Sequence, residues 1–241
     1  MRCWCGSDSF YMEVRQDYAR CLDCGTFVDV FMPGEDKLQA FYSMQNYWHD
    51  VQVNTYNFPA IEQRAVNDFN DRIPVWERVL RDLIASPKSL LEIGCAHGGF
   101  LARCRTNGIE RVVGVEVDPL TCDYAKQRFG LPEVHPGLWP DVPVEGAFDV
   151  VCGFDVLEHF SDPLQAVKAV LDRLNPGGLC LWQTPCYRDN GNEWAQFKSG
   201  EHLYLFTDQS GRKLMEQAGL VNIGTGTSIW TDDMMLWGYK P

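Results

Sequence analysis

The stretch LLEIGCAHGG, residues 90–99, places a glycine-rich turn directly after a short apolar run. A turn of this kind between a buried strand and a helix brings backbone amides and a helix N-terminus close to a ligand. The next apolar run contains Glu116, which stands 22 residues after Gly94. An acid at the end of that second strand can accept hydrogen bonds from both hydroxyls of a ribose. Together the two features predict an open α/β sheet that binds a nucleoside.

The order of residues in the turn narrows the class of nucleoside. The turn does not follow the GxGxxG spacing of a dinucleotide site, and an acid, Glu92, stands two residues before its first glycine. A carboxylate aimed into the loop repels a pyrophosphate but attracts an ammonium group. This disfavours an NAD-dependent enzyme and favours a nucleoside that carries an amino acid, such as S-adenosylmethionine. The predicted donor-binding residues are Glu92, Gly94, Ala96, His97, Gly98 and Glu116.

From Lys88 onward, short apolar strands alternate with helices. The strands are predicted at 89–93, 111–117, 148–153 and 179–183, and helices are predicted after each of the first three, the second of them at 119–129. A break is predicted at residues 175–178, directly before the last strand. Such alternation is typical of βαβ units. We therefore predict an α/β fold with a mostly parallel, twisted sheet and helices on both of its faces.

Four blocks of sequence resemble, in order, the motifs of the class I S-adenosylmethionine-dependent methyltransferases. LLEIGCAHGGF resembles their first motif, VVGVEVDP the second, FDVVCGFDVLEHFSDP the fourth, and LNPGGLCLWQTP the stretch that enters the fifth strand. The resemblance covers residues 88–240 and implies a Rossmann-like methyltransferase fold with Glu116 on the ribose. The sequence departs from the first motif at Ala96, where a glycine is usual. Asp155 directly follows the strand of the fourth block and is predicted to contact the donor or the acceptor.

Four of the ten cysteines crowd the first 24 residues as two short pairs. Cys3 and Cys5 precede one glycine, and Cys21 and Cys24 precede another. Two such pairs suit a tetrahedral zinc ion, and four thiolates leave no open position for catalysis. We predict a structural zinc ribbon. Four unrelated buried cysteines are the alternative, because the CxC spacing of the first pair is less common than CxxC.

Residues 33–86 are predicted to be helical and are rich in aromatic side chains. Tyr42, Tyr47 and Trp48 are predicted to form a lid, because aromatic faces attract a sulfonium cation and a sugar ring. Simple packing of an amphipathic helix is the alternative. The predicted domains are a zinc-ribbon-like segment, a helical aromatic connector and an S-adenosylmethionine-binding methyltransferase domain, at residues 1–32, 33–86 and 87–241.

This order of segments resembles bacterial sugar methyltransferases of antibiotic and surface-glycan pathways. The C-methyltransferases of that group carry a further C-terminal domain that this sequence does not show, so we expect an oxygen acceptor. The resemblance implies an acceptor-side histidine at His202, which is the first candidate for the base. His159, at the carboxyl edge of the predicted sheet, is the second. Hydrogen-bonded packing is the alternative for each of them.

Composition bounds the remaining classes of function. A hydrophobic content of 45% excludes a disordered chain, and a formal charge of −12 argues against nucleic acid or an anionic membrane as the main partner. The sequence shows no secretory signal and no apolar run of membrane length, so we expect a cytoplasmic protein. The expected partner is a small-molecule or glycan acceptor, and the oligomeric state is not predicted. Methylation of another small metabolite, such as a phenol or a carboxylate, and a non-catalytic zinc-ribbon scaffold stay open as alternatives.

Overall fold

The computed structural model of this chain describes residues 1–12, 15–228 and 230–241. The density of internal contacts divides it into two compact units. Unit 1 comprises Met1–Gly34, Phe154–Asp172 and Cys180–Pro241, and unit 2 comprises Glu35–Gly153 and Arg173–Leu179. None of the described helices is both long enough and apolar enough to cross a membrane.

Strands and helices alternate along most of the chain. In chain order the strands are β1 (Phe10–Tyr11), β2 (Tyr18–Cys21), β3 (Phe27–Asp29), β4 (Ser89–Ile93), β5 (Arg111–Glu116), β6 (Glu133–Pro136), β7 (Phe148–Phe154), β8 (Leu174–Pro185), β9 (Tyr204–Leu205), β10 (Val221–Thr227) and β11 (Asp233–Tyr239). The helices are α1 (Glu35–Phe41), α2 (Ile61–Asn70), α3 (Arg72–Leu83), α4 (Gly99–Thr106), α5 (Pro119–Phe129), α6 (Pro163–Arg173) and α7 (Asp208–Ala218). A π-helix spans Met44–Thr55, and a short 3₁₀ turn spans Leu157–His159.

Hydrogen bonds arrange the strands in two sheets. The larger sheet has the order β10-β11-β8-β7-β4-β5-β6, and the smaller has the order β1-β2-β3-β9. In the larger sheet β4 is parallel to β5 and β7, β5 is parallel to β6, and β10 is antiparallel to β11. The predicted Rossmann-like α/β fold with a mostly parallel sheet is confirmed.

The central strands are apolar because side chains on both of their faces are buried. Leu91 of β4 is fully buried and lies in register with Val113 of β5 and Val151 of β7. The helix after β5 also follows its sequence signals. Asp118 caps the first turn of α5 by accepting a hydrogen bond from the Thr121 amide at 2.8 Å. The predicted bounds of β4 and α5 are those that the structure shows.

Strand β8 differs from its prediction, because it begins at Leu174 rather than at residue 179. The predicted break at residues 175–178 lies inside the strand. The side chain of Asn175 donates a hydrogen bond to Asp149 Oδ1 at 2.8 Å. A Cβ atom added to Gly178 would lie 2.8 Å from the Asn175 carbonyl oxygen and 3.2 Å from that of Asp149. The glycine therefore allows a close backbone approach rather than a chain reversal.

Candidate functional site

The predicted donor turn follows β4 and is fixed by backbone hydrogen bonds within unit 2. The amides of Gly94 and Cys95 both donate to the Val115 carbonyl, at 2.8 and 3.1 Å. The Glu116 carboxylate accepts from the Ala96 amide and from the Val117 amide, each at 2.9 Å. The turn and the acid that ends β5 are thus held together by the chain itself. Glu116 is placed and oriented before any ligand arrives.

Two buried carboxyl groups meet at this turn. Burial raises the pKa of Glu116 to about 7, although the amide hydrogen bond from Ala96 lowers it. Burial, and then the charge of Glu116, raises the pKa of Glu92 well above its ordinary value. Among the described residues, no hydrogen-bond partner is found for Oε2 of Glu92. A buried carboxyl oxygen of this kind suits an ammonium or hydroxyl donor supplied by a ligand, so the turn fits an amino-acid-bearing nucleoside.

Gly98 was predicted to bind the cofactor, and the structure shows an additional reason for a glycine there. Its φ is +76°, and an added Cβ would lie 2.6 Å from Leu131 Cδ1 and 3.0 Å from Ala125 Cβ. The residue therefore lets the start of α4 pack against its neighbours within unit 2. This packing requirement exists whether or not a ligand is bound.

His97 is buried beside the turn, and both of its ring nitrogens take part in hydrogen bonds. Nδ1 accepts from the Gly99 amide at 3.1 Å, so Nε2 carries the proton that faces Asp68 Oδ2 at 3.2 Å. Burial raises the pKa of Asp68, but the bond from His97 and the guanidinium groups of Arg64 and Arg72 outweigh it and hold the pKa below its usual range. These contacts tie the turn to α2. Contact of His97 with the cofactor stays a prediction.

Asp155 lies in unit 1, where its backbone has a left-handed φ of +55°. Its amide donates to the Gln183 carbonyl at 3.0 Å, and its Oδ1 accepts from Gln183 Nε2 at 2.7 Å. Sequence reasoning did not single out Gln183. A contact between Asp155 and the donor stays a prediction.

His159 and His202, the two predicted bases, lie together in unit 1. Their ring centroids are 5.0 Å apart. His159 Nδ1 lies 2.7 Å from the Glu201 carbonyl oxygen, and His202 Nδ1 lies 2.8 Å from the Gln196 carbonyl oxygen. A carbonyl can only accept, so both Nδ1 atoms carry hydrogen, and in the neutral rings the lone pairs are on Nε2.

Burial lowers the pKa of His159 and, more strongly, that of His202, which also faces the His159 ring and the cationic Lys198. Both imidazoles are therefore neutral near pH 7 and able to accept a proton or bind an ion.

Glu158 belongs to the same group of side chains. It is 1% exposed, and its Oε2 accepts a hydrogen bond from the Thr184 hydroxyl at 2.8 Å. Burial, and then the charge of Asp155, raises its pKa to about 8. Its position directly before His159 in the sequence was the available signal. Its burial depends on residues far along the chain.

The four N-terminal cysteines come together, with all four sulfur atoms within 4.8 Å of one another. Cys3 Sγ lies 3.6 Å from Cys24 Sγ, and Cys5 Sγ lies 3.7 Å from Cys21 Sγ. Four sulfurs at about 2.3 Å from a zinc ion form a tetrahedron with edges of about 3.8 Å. The donor set and its spacing therefore fit a closed structural zinc site.

The sheet beside these cysteines contacts the segment that carries His202, also within unit 1. Val28 of β3 pairs with Tyr204 of β9, and the Asp29 amide donates to the Leu203 carbonyl at 2.9 Å. The Tyr18 hydroxyl donates to the His202 carbonyl at 2.7 Å. The strands that follow the first cysteine pair thus support the backbone of the predicted base.

The three predicted lid residues form one aromatic group in unit 2. Tyr42 lies 5.0 Å from Tyr47, and Tyr47 lies 5.5 Å from Trp48, measured between ring centroids. All three are half-buried. They start just before the π-helix and continue into it. Their role as a lid stays a prediction.

The comparisons with known proteins agree with the fold. The family described as a methyltransferase domain matches residues 67–225. The chain belongs to this family, and its fold is that of the class I S-adenosylmethionine-dependent methyltransferases.

Proteins of similar sequence match only part of this chain. The tRNA U34 carboxymethyltransferase of Azotobacter vinelandii is 33% identical over 116 residues, which cover 45% of this chain and 36% of that protein. The matched region thus spans little more than a third of that relative's length.

Two solved structures show the same fold at low identity. One is a chain from the Haloferax volcanii complex between the Trm112 methyltransferase activator and a methyltransferase, with 15% identity, a TM-score of 0.64, and coverage of 79% of this chain and 96% of that one. The other is CalS10, an amino pentose methyltransferase of Micromonospora echinaspora, with 16% identity, a TM-score of 0.54, and coverage of 76% and 92%.

Proposed function

We propose that this protein transfers the methyl group of S-adenosylmethionine to a hydroxyl oxygen of a sugar or glycan. The observation that carries the proposal is the turn after β4, where Glu116 is fixed by two backbone amides and Glu92 presents a buried carboxyl oxygen. In this proposal Glu116 accepts from the ribose hydroxyls, and Glu92 faces the ammonium group directly or through water. Gly94 and Ala96 bring the backbone close to the donor.

Methyl transfer from S-adenosylmethionine does not require a covalent intermediate with the protein. The acceptor oxygen forms a bond to the methyl carbon, the carbon–sulfur bond breaks with its electron pair on sulfur, and the hydroxyl proton leaves. Because the sulfonium donor is already activated, the protein mainly aligns the reactants and excludes water. A sugar hydroxyl has a pKa far above neutrality, so a group that promotes loss of its proton helps.

His202 and His159 are the proposed acceptor-side residues, with His202 first. Their Nδ1 atoms are fixed by backbone carbonyls, which leaves Nε2 of each neutral ring as the acceptor. Tyr42, Tyr47 and Trp48 are proposed to cover the reactants. The name of the solved neighbour from Micromonospora, an amino pentose methyltransferase, favours a sugar as the acceptor.

We further propose that the four cysteines bind a structural zinc ion that keeps β2 and β3 in place against the segment around His202. Their sulfur spacing and the hydrogen bond from Tyr18 to the His202 carbonyl support this. The division at residues 1–32, 33–86 and 87–241 is kept as the proposed domain organisation.

The test uses zinc-loaded protein, methyl-labelled S-adenosylmethionine and fractionated cell extract, with Glu116→Ala as the inactive control. We expect label in a sugar-nucleotide or polysaccharide fraction, and we expect that label to be lost in the variant. Label confined to phenolic or carboxylic metabolites would replace the sugar acceptor with another small molecule. Absence of both label and S-adenosylhomocysteine binding would leave the scaffold alternative.

Modification of tRNA is a second candidate, favoured by the 33% identity to the tRNA U34 carboxymethyltransferase. The formal charge of −12 speaks against it, since binding of a phosphate backbone needs a basic surface. An RNA fraction in the same labelling experiment separates the two candidates, because label there would favour the tRNA substrate.

A further inference from the structure

Glu158, His159 and His202 form a compact group of metal-ligating side chains that is separate from the four cysteines. One ligand atom from each of the three lies within 4.8 Å of the others. We propose that these three side chains bind a divalent transition-metal ion, Zn²⁺ in the first instance, at a site with open coordination positions. Ligands about 2.0–2.1 Å from a tetrahedral ion are about 3.3 Å apart, which small side-chain rotations can reach.

The hydrogen bonds around the histidines are those of metal ligands. A histidine that binds a metal through one nitrogen commonly donates its other N–H to a carbonyl or a carboxylate, which fixes the tautomer and the ring plane. His159 does so to the Glu201 carbonyl, and His202 does so to the Gln196 carbonyl. With each Nδ1 bound to a carbonyl, Nε2 is the ligand atom of each ring. His159 Nε2 lies 3.7 Å from Glu158 Oε1, and His202 Nε2 lies 3.8 Å from Glu201 Oε1.

The third ligand is also positioned by a neighbour. Thr184 donates to Oε2 of Glu158, while Oε1 lies 3.7 Å from His159 Nε2. Thr184 and Glu158 are both almost completely buried. Thr184 is therefore a positioning residue that directs Oε1 towards the imidazoles.

The ligand set selects the class of ion. Two imidazoles and one carboxylate suit zinc and its neighbours in the first transition row, and they suit Mg²⁺ or Ca²⁺ poorly. Three protein ligands leave at least one position open, as in catalytic zinc sites. The ammonium group of Lys198 opposes a cation here, but it lies 3.7 Å from the carboxylate of Glu201, which offsets its charge.

The role of the ion rests on the proposed function, whereas its binding does not. An acceptor hydroxyl bound at the open position would have its pKa lowered by the ion, and its proton would pass to solvent as the oxygen takes the methyl group. The two histidines would then act through the ion rather than as free bases.

The test is Co²⁺ binding to the metal-depleted full-length chain, followed by visible spectroscopy and by counting ions per chain. Co²⁺ bound by thiolates gives an intense near-ultraviolet charge-transfer band, whereas Co²⁺ bound by imidazole and carboxylate gives only weak visible bands. We expect two ions per chain in the wild type, and one in Glu158→Gln and in His202→Asn with the thiolate band unchanged. That unchanged band, with the circular dichroism spectrum, reports that the variants are folded.

Two further variants sharpen the result. Thr184→Val keeps all three ligands and is expected to weaken the second ion by about 10–100-fold. His135→Ala removes a histidine of β6 and is expected to bind both ions as the wild type does. A single ion that is bound by thiolates in the wild type, or an imidazole- and carboxylate-bound ion unaffected by Glu158→Gln and His202→Asn, overturns the proposal.

Methyl transfer is measured on the same samples, so that the two proposals fail separately. A second ion without any methyl transfer to sugars would contradict the proposed function and leave the metal site standing. Full transfer activity in a protein that binds only the thiolate ion would overturn the metal site alone.

Discussion

Gly98→Ala is expected to destabilise the protein because the residue is required by packing as well as by backbone conformation. At φ +76° an alanine is strained by about 1–2 kcal/mol. The new Cβ would lie 2.6 Å from Leu131 Cδ1 and 3.0 Å from Ala125 Cβ. Relief of such overpacking costs about 1–3 kcal/mol. The free energy of unfolding should therefore fall by about 2–5 kcal/mol.

Gly177→Ala is the matched control. Gly177 has a nearly equal φ of +72°, and beyond its two chain neighbours no described atom lies within 4 Å of an added Cβ. The free energy of unfolding of Gly177→Ala should therefore fall only by the backbone strain of about 1–2 kcal/mol. Urea unfolding of the two variants, followed by circular dichroism, isolates the packing term as their difference. Equal losses of stability in the two variants would refute the packing argument for Gly98.

Three other predictions concern the donor turn and the cysteines. Burial raises the pKa of Glu116 from 4.5 to about 7, so the folded protein holds this proton more tightly than the unfolded chain does. The resulting contribution to the free energy of unfolding is complete below about pH 4.5 and is lost as pH rises through 7. Between pH 5 and 8 the ligand-free Glu116→Gln variant should therefore lose less stability than the wild type, by up to about 3 kcal/mol in urea titrations. An equal dependence of the free energy of unfolding on pH in the two proteins would contradict this. Removal by a chelator of the zinc ion proposed at the four cysteines should speed amide hydrogen exchange in residues 198–205, measured by mass spectrometry, while S-adenosylhomocysteine still binds. Unaltered exchange would contradict the proposed support of His202. Asp68→Asn should cost about 1–3 kcal/mol, and a double-mutant cycle with His97→Asn should show coupling, whereas additive losses would mean that the two side chains do not interact.

Local signals predicted the central part of the fold well. Strand β4 and helix α5 have the predicted bounds because each is specified by neighbouring residues, an apolar run in one case and Asp118 with Pro119 and Gly130 in the other. The turn at Gly94 was also predictable from neighbouring residues, since its glycines and Glu92 are close in sequence.

Features that depend on distant contacts were not predictable in this way. The π-helix at Met44–Thr55 was expected only as helix, because its sequence pattern does not distinguish it from an α-helix. Strands β10 and β11 pair with each other and were not identified from their sequence. Glu158 lies with the two histidines because later parts of the chain bring Thr184 and His202 next to it. Contacts between residues so far apart in sequence leave no local pattern.

The turn after β4 and the acid at the end of β5 are proposed to bind the donor. The most direct measurement is isothermal titration of the wild type and of Glu116→Ala with S-adenosylhomocysteine. We expect one site in the wild type and an affinity at least about 30-fold weaker in the variant, since the ribose loses a charged hydrogen-bond acceptor worth about 2 kcal/mol or more. Equal affinities, or no binding by the wild type, would contradict it.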